Sequence, residues 1–432
     1  MTNHRDPIED WLSQDVEVLP PPAGTFQRVR RKARQRKAIQ AASVAAGVAV
    51  IVAAGFSVPA LTGNLFQPSG PESVTTRTPN PRSTPTAGAL YFPGLALASA
   101  GRGTSVPHGF RPSSVTFVAD RGRFLGAVLG QAPCGGRTCT AMAGTTNYGR
   151  RWSRIGAPPA GPSSVSQVRF ANSRTGWAYG PALWATHSGG RHWRRISDVA
   201  GRVVDLSTVG GHVLAVAATG CSQSRCTGFG LYAAGATSDR FVRVLPEPHG
   251  GMVTAGGLQL QAAAPAGYLI AGGRLYAGAL DGGGWGYVHP GSAATPGCLD
   301  GRAAGSPAVL APGTHVLYAA CPSGGRLELY RSASSGRTWQ ATGAIPAAGT
   351  ATSLAVSPAG TLVLATTRGL YFSPDARTWS RVTSGSSAGV AFRFVGMTSA
   401  SRGVAVPASG SLGVVYVTGD GGRTWAPSKI SR

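Results

Sequence analysis

The chain has 432 residues, 42% of them hydrophobic and only 13% charged, with 40 Lys and Arg against 16 Asp and Glu. This composition excludes wholesale disorder and leaves ample apolar surface for a core, while 63 Gly and 31 Pro predict many turns and few long helices. The formal net charge of +24 raises nucleic acid as a partner. Its distribution along the chain argues against that reading: residues 1–37 carry net +3, residues 38–66 no charge, and residues 67–432 net +21.

The first element predicted is a short helix. Asp6-Pro7-Ile8-Glu9 supplies an N-cap, a Pro at the first helical position and an acid at the third. Ile8, Trp11, Leu12 and Val16 then share one face before Pro20-Pro21-Pro22 ends the helix. That face would lie on the membrane surface or dock in the groove of a cytosolic protein. Arg28, Arg30, Arg31, Lys32, Arg34, Arg36 and Lys37 follow.

Residues 38–61 form the next element, 24 residues without a charge, which at 1.5 Å per residue span a hydrocarbon core of about 30 Å. The basic cluster on their N-terminal side predicts a transmembrane helix with the N-terminus in the cytoplasm. The competing reading is a signal peptide cleaved after Ala60, with an unusually long leader. Residues 67–88 hold five Pro and eight Ser or Thr and almost nothing apolar, a semi-rigid stalk. The expected organisation is therefore a cytoplasmic tail (1–37), a transmembrane helix (38–61), a linker (62–88) and an extracytoplasmic domain (89–432) at the cell membrane.

The remainder repeats. An aromatic residue recurs at Trp152, Trp193, Phe241, Trp285, Trp339, Trp379 and Trp425, spaced 41, 48, 44, 54, 40 and 46 residues apart, the period of four-stranded propeller blades. Four copies share the pattern Ser/Thr-x-Asp/Asn/Ser-x-Gly-x-x-Trp: Thr145/Asn147/Gly149/Trp152, Thr186/Ser188/Gly190/Trp193, Ser332/Ser334/Gly336/Trp339 and Thr418/Asp420/Gly422/Trp425. Copies three, four and six depart from it, with Ser238, Leu280 and a shifted Asp375 in place of the acceptor. A short acceptor bonding N–H groups about two residues on, with Gly supplying positive φ, would fix a tight hairpin whose Trp starts the outer strand. Burying each indole is worth on the order of 5 kcal/mol gross. In copy two, strands are expected at 165–170, 176–179, 183–186 and 193–196. The fold class predicted is all-β, a seven-bladed β-propeller of four-stranded antiparallel blades.

These segments resemble the Asp-box, or BNR, repeats of β-propellers. TGDGGRTW at 418–425, with RTGWAYG at 174–180, is similar to photosystem II assembly-factor-like and sialidase-like propellers. The resemblance implies a propeller over about residues 110–432 and a scaffolding role, with the box itself structural.

Six cysteines fall as Cys134/Cys139, Cys221/Cys226 and Cys298/Cys321, an even number on the side of the membrane where disulfides persist. The first two pairs would each staple a hairpin and the third would tie neighbouring strands, though sequence alone permits 15 pairings. The spacing is not CxxC and no His cluster accompanies it, so no metal or other cofactor is expected. His187 and His192 flank the second box and are expected as exposed turn residues.

Resemblance to sialidases also implies what hydrolysis would need: an arginine triad, an acidic general acid and a Tyr nucleophile with a Glu beside it. Beyond residue 88 the only carboxylates are Asp120, Asp198, Asp205, Asp239, Glu247, Asp281, Asp300, Glu328, Asp375 and Asp420. Phe110-Arg111-Pro112 is loosely similar to the Arg-Ile-Pro start of sialidases but lacks the Ile. The expectation is thus no enzyme but a binding or scaffold module for an extracellular protein, wall polymer or anionic glycan. The alternatives are a sialidase-like hydrolase and a signalling protein whose tail holds a cytosolic regulator.

Overall fold

The computed structural model describes residues 105–432 apart from 121–122, 245–251, 290, 292–295, 302–307, 347, 384–388, 411–412 and 432. The expected tail with Ile8, Trp11, Leu12 and Val16, the transmembrane segment, the linker and residues 89–104 lie outside the described residues. Among the described residues, no helix is long and apolar enough to cross a membrane.

Short strands rich in Val, Leu, Tyr and Ala, punctuated by Gly-containing turns, pair with their sequence neighbours into seven antiparallel sheets. Blade 1 comprises Arg111–Asp120, Arg123–Cys134, Arg137–Thr145 and Ser153–Ile155. Blade 2 comprises Gln167–Phe170, Gly176–Tyr179, Leu183–Thr186 and Arg194–Ile196. Blades 4, 5, 6 and 7 begin at Gln259, Val309, Ala351 and Phe392 and keep the same order. Blade 3 begins at Arg202 and departs in one respect, its outer edge being split. Val242–Arg243 pairs one part of Arg225–Gly235, and Val253–Thr254 pairs the other.

The core consists of seven apolar clusters, one in each seam between adjacent blades. The seam between blades 7 and 1 joins Val115, Val128 and Trp152 to Val404, Val406 and Val415 and closes the ring. No strand is exchanged there, because blades 1 and 7 each take all four strands from one continuous stretch of chain. Side chains make the closure instead: Trp152 Nε1 donates to Ser428 Oγ at 2.8 Å, and that hydroxyl donates to Gly149 O at 2.5 Å.

Neighbouring inner strands are zipped by short polar side chains at alternate positions, which the pleat points to one side. Val168 N donates to Ser114 Oγ (3.1 Å) and Phe170 N to Thr116 Oγ1 (3.3 Å). Leu260 N donates to Asp205 Oδ2 (2.8 Å), Ala262 N to Ser207 Oγ (3.0 Å) and Leu310 N to Gln259 Oε1 (2.9 Å). Backbone donors on the free edge of the inner strands of blades 2, 4 and 5 are thereby satisfied without sheet pairing across the seam.

The two ends of the ring differ. At one end the turns after the first and third strands of a blade meet: Gly189 N donates to Arg174 O at 2.7 Å and Gly421 N to Ser401 O at 2.8 Å. The other end carries the turns between second and third strands. Two of these are clipped by Cys134–Cys139 and Cys221–Cys226, each between adjacent antiparallel strands. The third bridge, Cys298–Cys321, corrects the expectation of neighbouring strands. Cys321 is on the second strand of blade 5, but Cys298 sits in the turn before that blade, next to the isolated bridge between Asp300 and Arg274.

Candidate functional site

The four predicted turns fold alike. The first hydroxyl is buried in each, Thr145 and Thr186 at 2% and 1% exposure and Ser332 and Thr418 at 1% and 5%, so it must be satisfied internally. It accepts the N–H of the glycine four residues on: Gly149, Gly190 and Gly422 at 3.0 Å, and Gly336 at 2.9 Å. The second acceptor also reaches four residues, from Asn147 to Arg151 N, Ser188 to His192 N, Ser334 to Thr338 N and Asp420 to Thr424 N, at 2.8–3.0 Å. This longer reach corrects the two-residue span expected of the second acceptor, whereas the first hydroxyl does accept the N–H two residues on in all four turns, at 3.3–3.4 Å. In blade 6, one residue shorter, Asp375 instead accepts from Arg377 N and Thr378 N, two and three residues on.

Two consecutive residues of each turn have positive φ. The first is Tyr148, Gly189, Ser335 or Gly421 at 55–81°, in the left-handed region that non-glycine residues adopt only occasionally. The second is always Gly at 79–100°, and it abuts the preceding blade. A Cβ on Gly422 would stand 2.5 Å from Val363 Cγ2, and one on Gly336 2.4 Å from Leu275 Cδ2. The Trp lies immediately before the outer strand rather than on it, as Ser153, Arg194, Gln340 and Ala426 begin those strands. Trp152, Trp339 and Trp425 are buried, while Trp193 is half-buried and donates to Gly156 O of blade 1 at 3.1 Å.

Two residues before the anchor Trp, five blades carry an arginine: Arg150, Arg191, Arg337, Arg377 and Arg423. All five are exposed, on turns that share one end of the ring. Their fixed offset from the Trp is visible in the repeat, although the pattern drawn from the sequence rested on hydroxyl, acceptor, glycine and indole alone. Blade 3 has Asp239 at this position, and it bonds His187 Nε2 of blade 2 at 2.7 Å and Arg194 at 3.4 Å. His187 is therefore engaged across the seam rather than merely exposed, while His192 is exposed on its turn.

Carboxylates have a different fate. Asp239, Asp375 and Asp420 are held in turns, Asp281 accepts Gly283 N at 3.0 Å, and Glu328 accepts Tyr330 Oη at 2.6 Å. Burial, with the Glu328 bond and charge, pushes the Tyr330 hydroxyl up to about 12, which disfavours a phenolate nucleophile. Asp205 lies inside the ring, taking N–H bonds from Leu206 and Leu260, and burial raises its pKa despite Arg169 nearby. Asp198 is exposed on the surface. Among the described residues no three of His, Cys, Asp and Glu gather as a metal-binding group.

The central channel contains a cavity of about 260 Å³ lined by Thr116, Arg169, Gln261, Ser353, Phe394 and Thr398, among others. Arg169 is the one charged group lining it, with its guanidinium 5.0 Å from the Phe394 ring centroid on blade 7.

The sequence matches no protein-family model and no curated protein. Among solved structures, it is similar to YCF48 from Cyanidioschyzon merolae (16% identity, TM-score 0.46, covering 64% of this chain and 88% of that one). It is also similar to a GH74 enzyme from Niastella koreensis (11%, 0.37, 75% and 66%). A third is PorZ, a surface component of the type-IX secretion system of Porphyromonas gingivalis (11%, 0.44, 76% and 39%). At these identities the likeness concerns the β-propeller architecture alone, which is also the class of protein that the seven blades define.

Proposed function

We propose that this chain is a membrane-anchored propeller displayed outside the cell, where it binds an anionic glycan, wall polymer or acidic protein surface without catalysing a reaction. The single observation that carries the reading is the arginine repeated at one turn position in five blades. A periodic cationic end with its acids engaged internally is suited to a polyanion, for which summed surface charge supplies attraction and on-rate. The anchor rests on the charge-free segment 38–61 behind its basic cluster, and the outward location on three disulfides. The turns belong, on this reading, to the Asp-box class that their sequence resembles, with a structural role.

The test is an array of anionic glycans and wall fragments against the full-length chain, read with increasing salt and paired with a fluorogenic sialoside assay. Binding that weakens with salt, falls at least about threefold when Arg150, Arg191, Arg337, Arg377 and Arg423 become Gln, and occurs without turnover is expected. Sialoside turnover abolished by Glu328→Gln would replace this reading with a hydrolase. Proteolysis of intact cells that spared the propeller would overturn the location.

A further inference from the structure

At the ring's closure, on the end opposite the arginine turns, a solvent-open cavity of about 540 Å³ lies between blades 1 and 7, within the range of small-ligand sites. Its walls come from chain segments more than 300 residues apart. His108 and Arg111 enter from the start of blade 1, and Lys429 and Ser431 from the end of blade 7. Lys429 is the single lysine beyond residue 37 in a chain that otherwise uses arginine. Among the described residues no carboxylate lines the cavity beside Arg111 and Lys429.

A third wall is the hairpin between the second and third strands of blade 1. Pro133 and Thr138 line the cavity from it, sit opposite each other in register, and are flanked by the Cys134–Cys139 bridge. That wall is therefore covalently clipped, which favours a preformed site over one assembled by the ligand. Gln131 also lines the cavity, and its Nε2 donates to Pro162 O at 3.2 Å. The buried ring of Phe110 and the backbone of Gly413 complete the floor.

Two cations, an amide and two hydroxyls around a partly apolar floor match a group that combines one negative charge with several hydroxyls and C–H faces. We propose that this cavity binds the carboxylate-bearing sugar residue of an acidic glycan. Arg111 and Lys429 would take the carboxylate, and Gln131, Thr138 and Ser431 the hydroxyls. The inference deepens the reading of the propeller as an anion binder by giving it a discrete sugar site, distinct from the arginine end. Because the ligand would touch both blades 1 and 7, its binding would also brace the one seam where the ring closes.

Calorimetry on the full-length chain tests this with tri-galacturonate, neutral tri-galactose and inorganic phosphate as probes. The expected result is binding of tri-galacturonate, neither of the other probes competing at equal concentration, and a loss of about tenfold or more in R111A/K429A. Thr138→Val, which removes one hydroxyl and no charge, should weaken tri-galacturonate by about threefold and leave long polyanions unaffected. A charge-loss control outside both sites, R225Q at the exposed start of the third strand of blade 3, should retain full trimer affinity. Trimer affinity within twofold of wild type in R111A/K429A would overturn the pocket, as would phosphate competing equally. If the trimer fails to bind while long polyanions still bind through the arginine turns, the pocket falls and the wider reading stands. If no polyanion binds at all, both fall.

Discussion

In blade 7 the turn into the outer strand runs from Thr418 to Trp425 and is tied by Thr418 and Asp420 side chains. In blade 4 Gly278 and Leu280 stand in their places, and the turn is tied by backbone bonds, by the Asp281 carboxylate accepting Gly283 N and by the indole. There Gly282 N donates to Ala279 O at 3.1 Å, Ala279 N to Gly283 O at 2.8 Å, and Trp285 Nε1 to Ala279 O at 3.0 Å. Two features survive the exchange. The indole is buried in both, at 2% exposure for Trp285 and 3% for Trp425. The glycine three residues before it keeps φ near 100° and faces the preceding blade, Gly422 against Val363 and Gly282 against Ala233 and Val244. The comparison teaches that polar groups shape the turn locally, whereas the indole and this glycine join one blade to the next.

The largest expected effect tests that division at the indole. Trp425→Ala removes a side chain packed among Val363, Phe372 and Phe392 and should lower stability by about 3–5 kcal/mol in urea unfolding. Trp285→Ala should match it, box or no box. Arg423→Ala, on an exposed turn position, should change stability by no more than about 0.5 kcal/mol. Equal losses for Trp425 and Arg423 would break the comparison.

The glycines sharpen it. Gly422→Ala forces a Cβ to 2.5 Å from Val363 Cγ2 at a φ of 100° and should cost about 2–3 kcal/mol. Gly282→Ala meets Ala233 and Val244 at 3.3 Å with φ near 99°, so it should also destabilise, though less. Gly283→Ala, whose nearest neighbour is the movable Asp281 carboxylate, should be close to neutral. A harmless Gly282→Ala alongside a damaging Gly422→Ala would mean that the glycine matters only inside the box.

What was legible in the sequence follows from this division. The indole spacing and the hydroxyl-acceptor-glycine pattern are local, and they predicted the blade number, the strand order and the all-β architecture. Features assembled from distant segments were not legible. Ser428, which receives the Trp152 N–H across 276 residues, looks like any other Ser in an outer strand. Arg111 and Lys429 meet at one cavity only because the ring closes there. Cys298 was expected on a strand because its partner is on one. The split outer edge of blade 3 had no signal, because Val242–Arg243 and Val253–Thr254 are each two residues long. The inner-strand zip did leave a trace, in polar residues two apart such as Ser114/Thr116 and Asp205/Ser207.

The smallest effect separates turns by charge. Backbone N–H bonds from Thr378 and Arg377 hold the Asp375 carboxyl down at about 2. For Asp420, burial would raise the pKa, but the bonds from Thr424 and Thr418 outweigh it and the net direction is down. A depressed folded pKa gives a contribution that is present above the unfolded carboxyl value of roughly 4 and lost as pH falls through the folded value. The blade 6 turn should therefore loosen between pH of about 4 and 2 and the blade 7 turn as pH falls below the unfolded carboxyl value, whereas Asn147, Ser188 and Ser334 do not titrate there. Hydrogen exchange reads this directly: protection of the Thr378 and Thr424 amides should fall relative to those of Arg151, His192 and Thr338, which donate to acceptors that do not titrate. If all five lose protection together, acid opens the ring as a whole, and the acceptor's chemistry does not distinguish one blade's turn from another's.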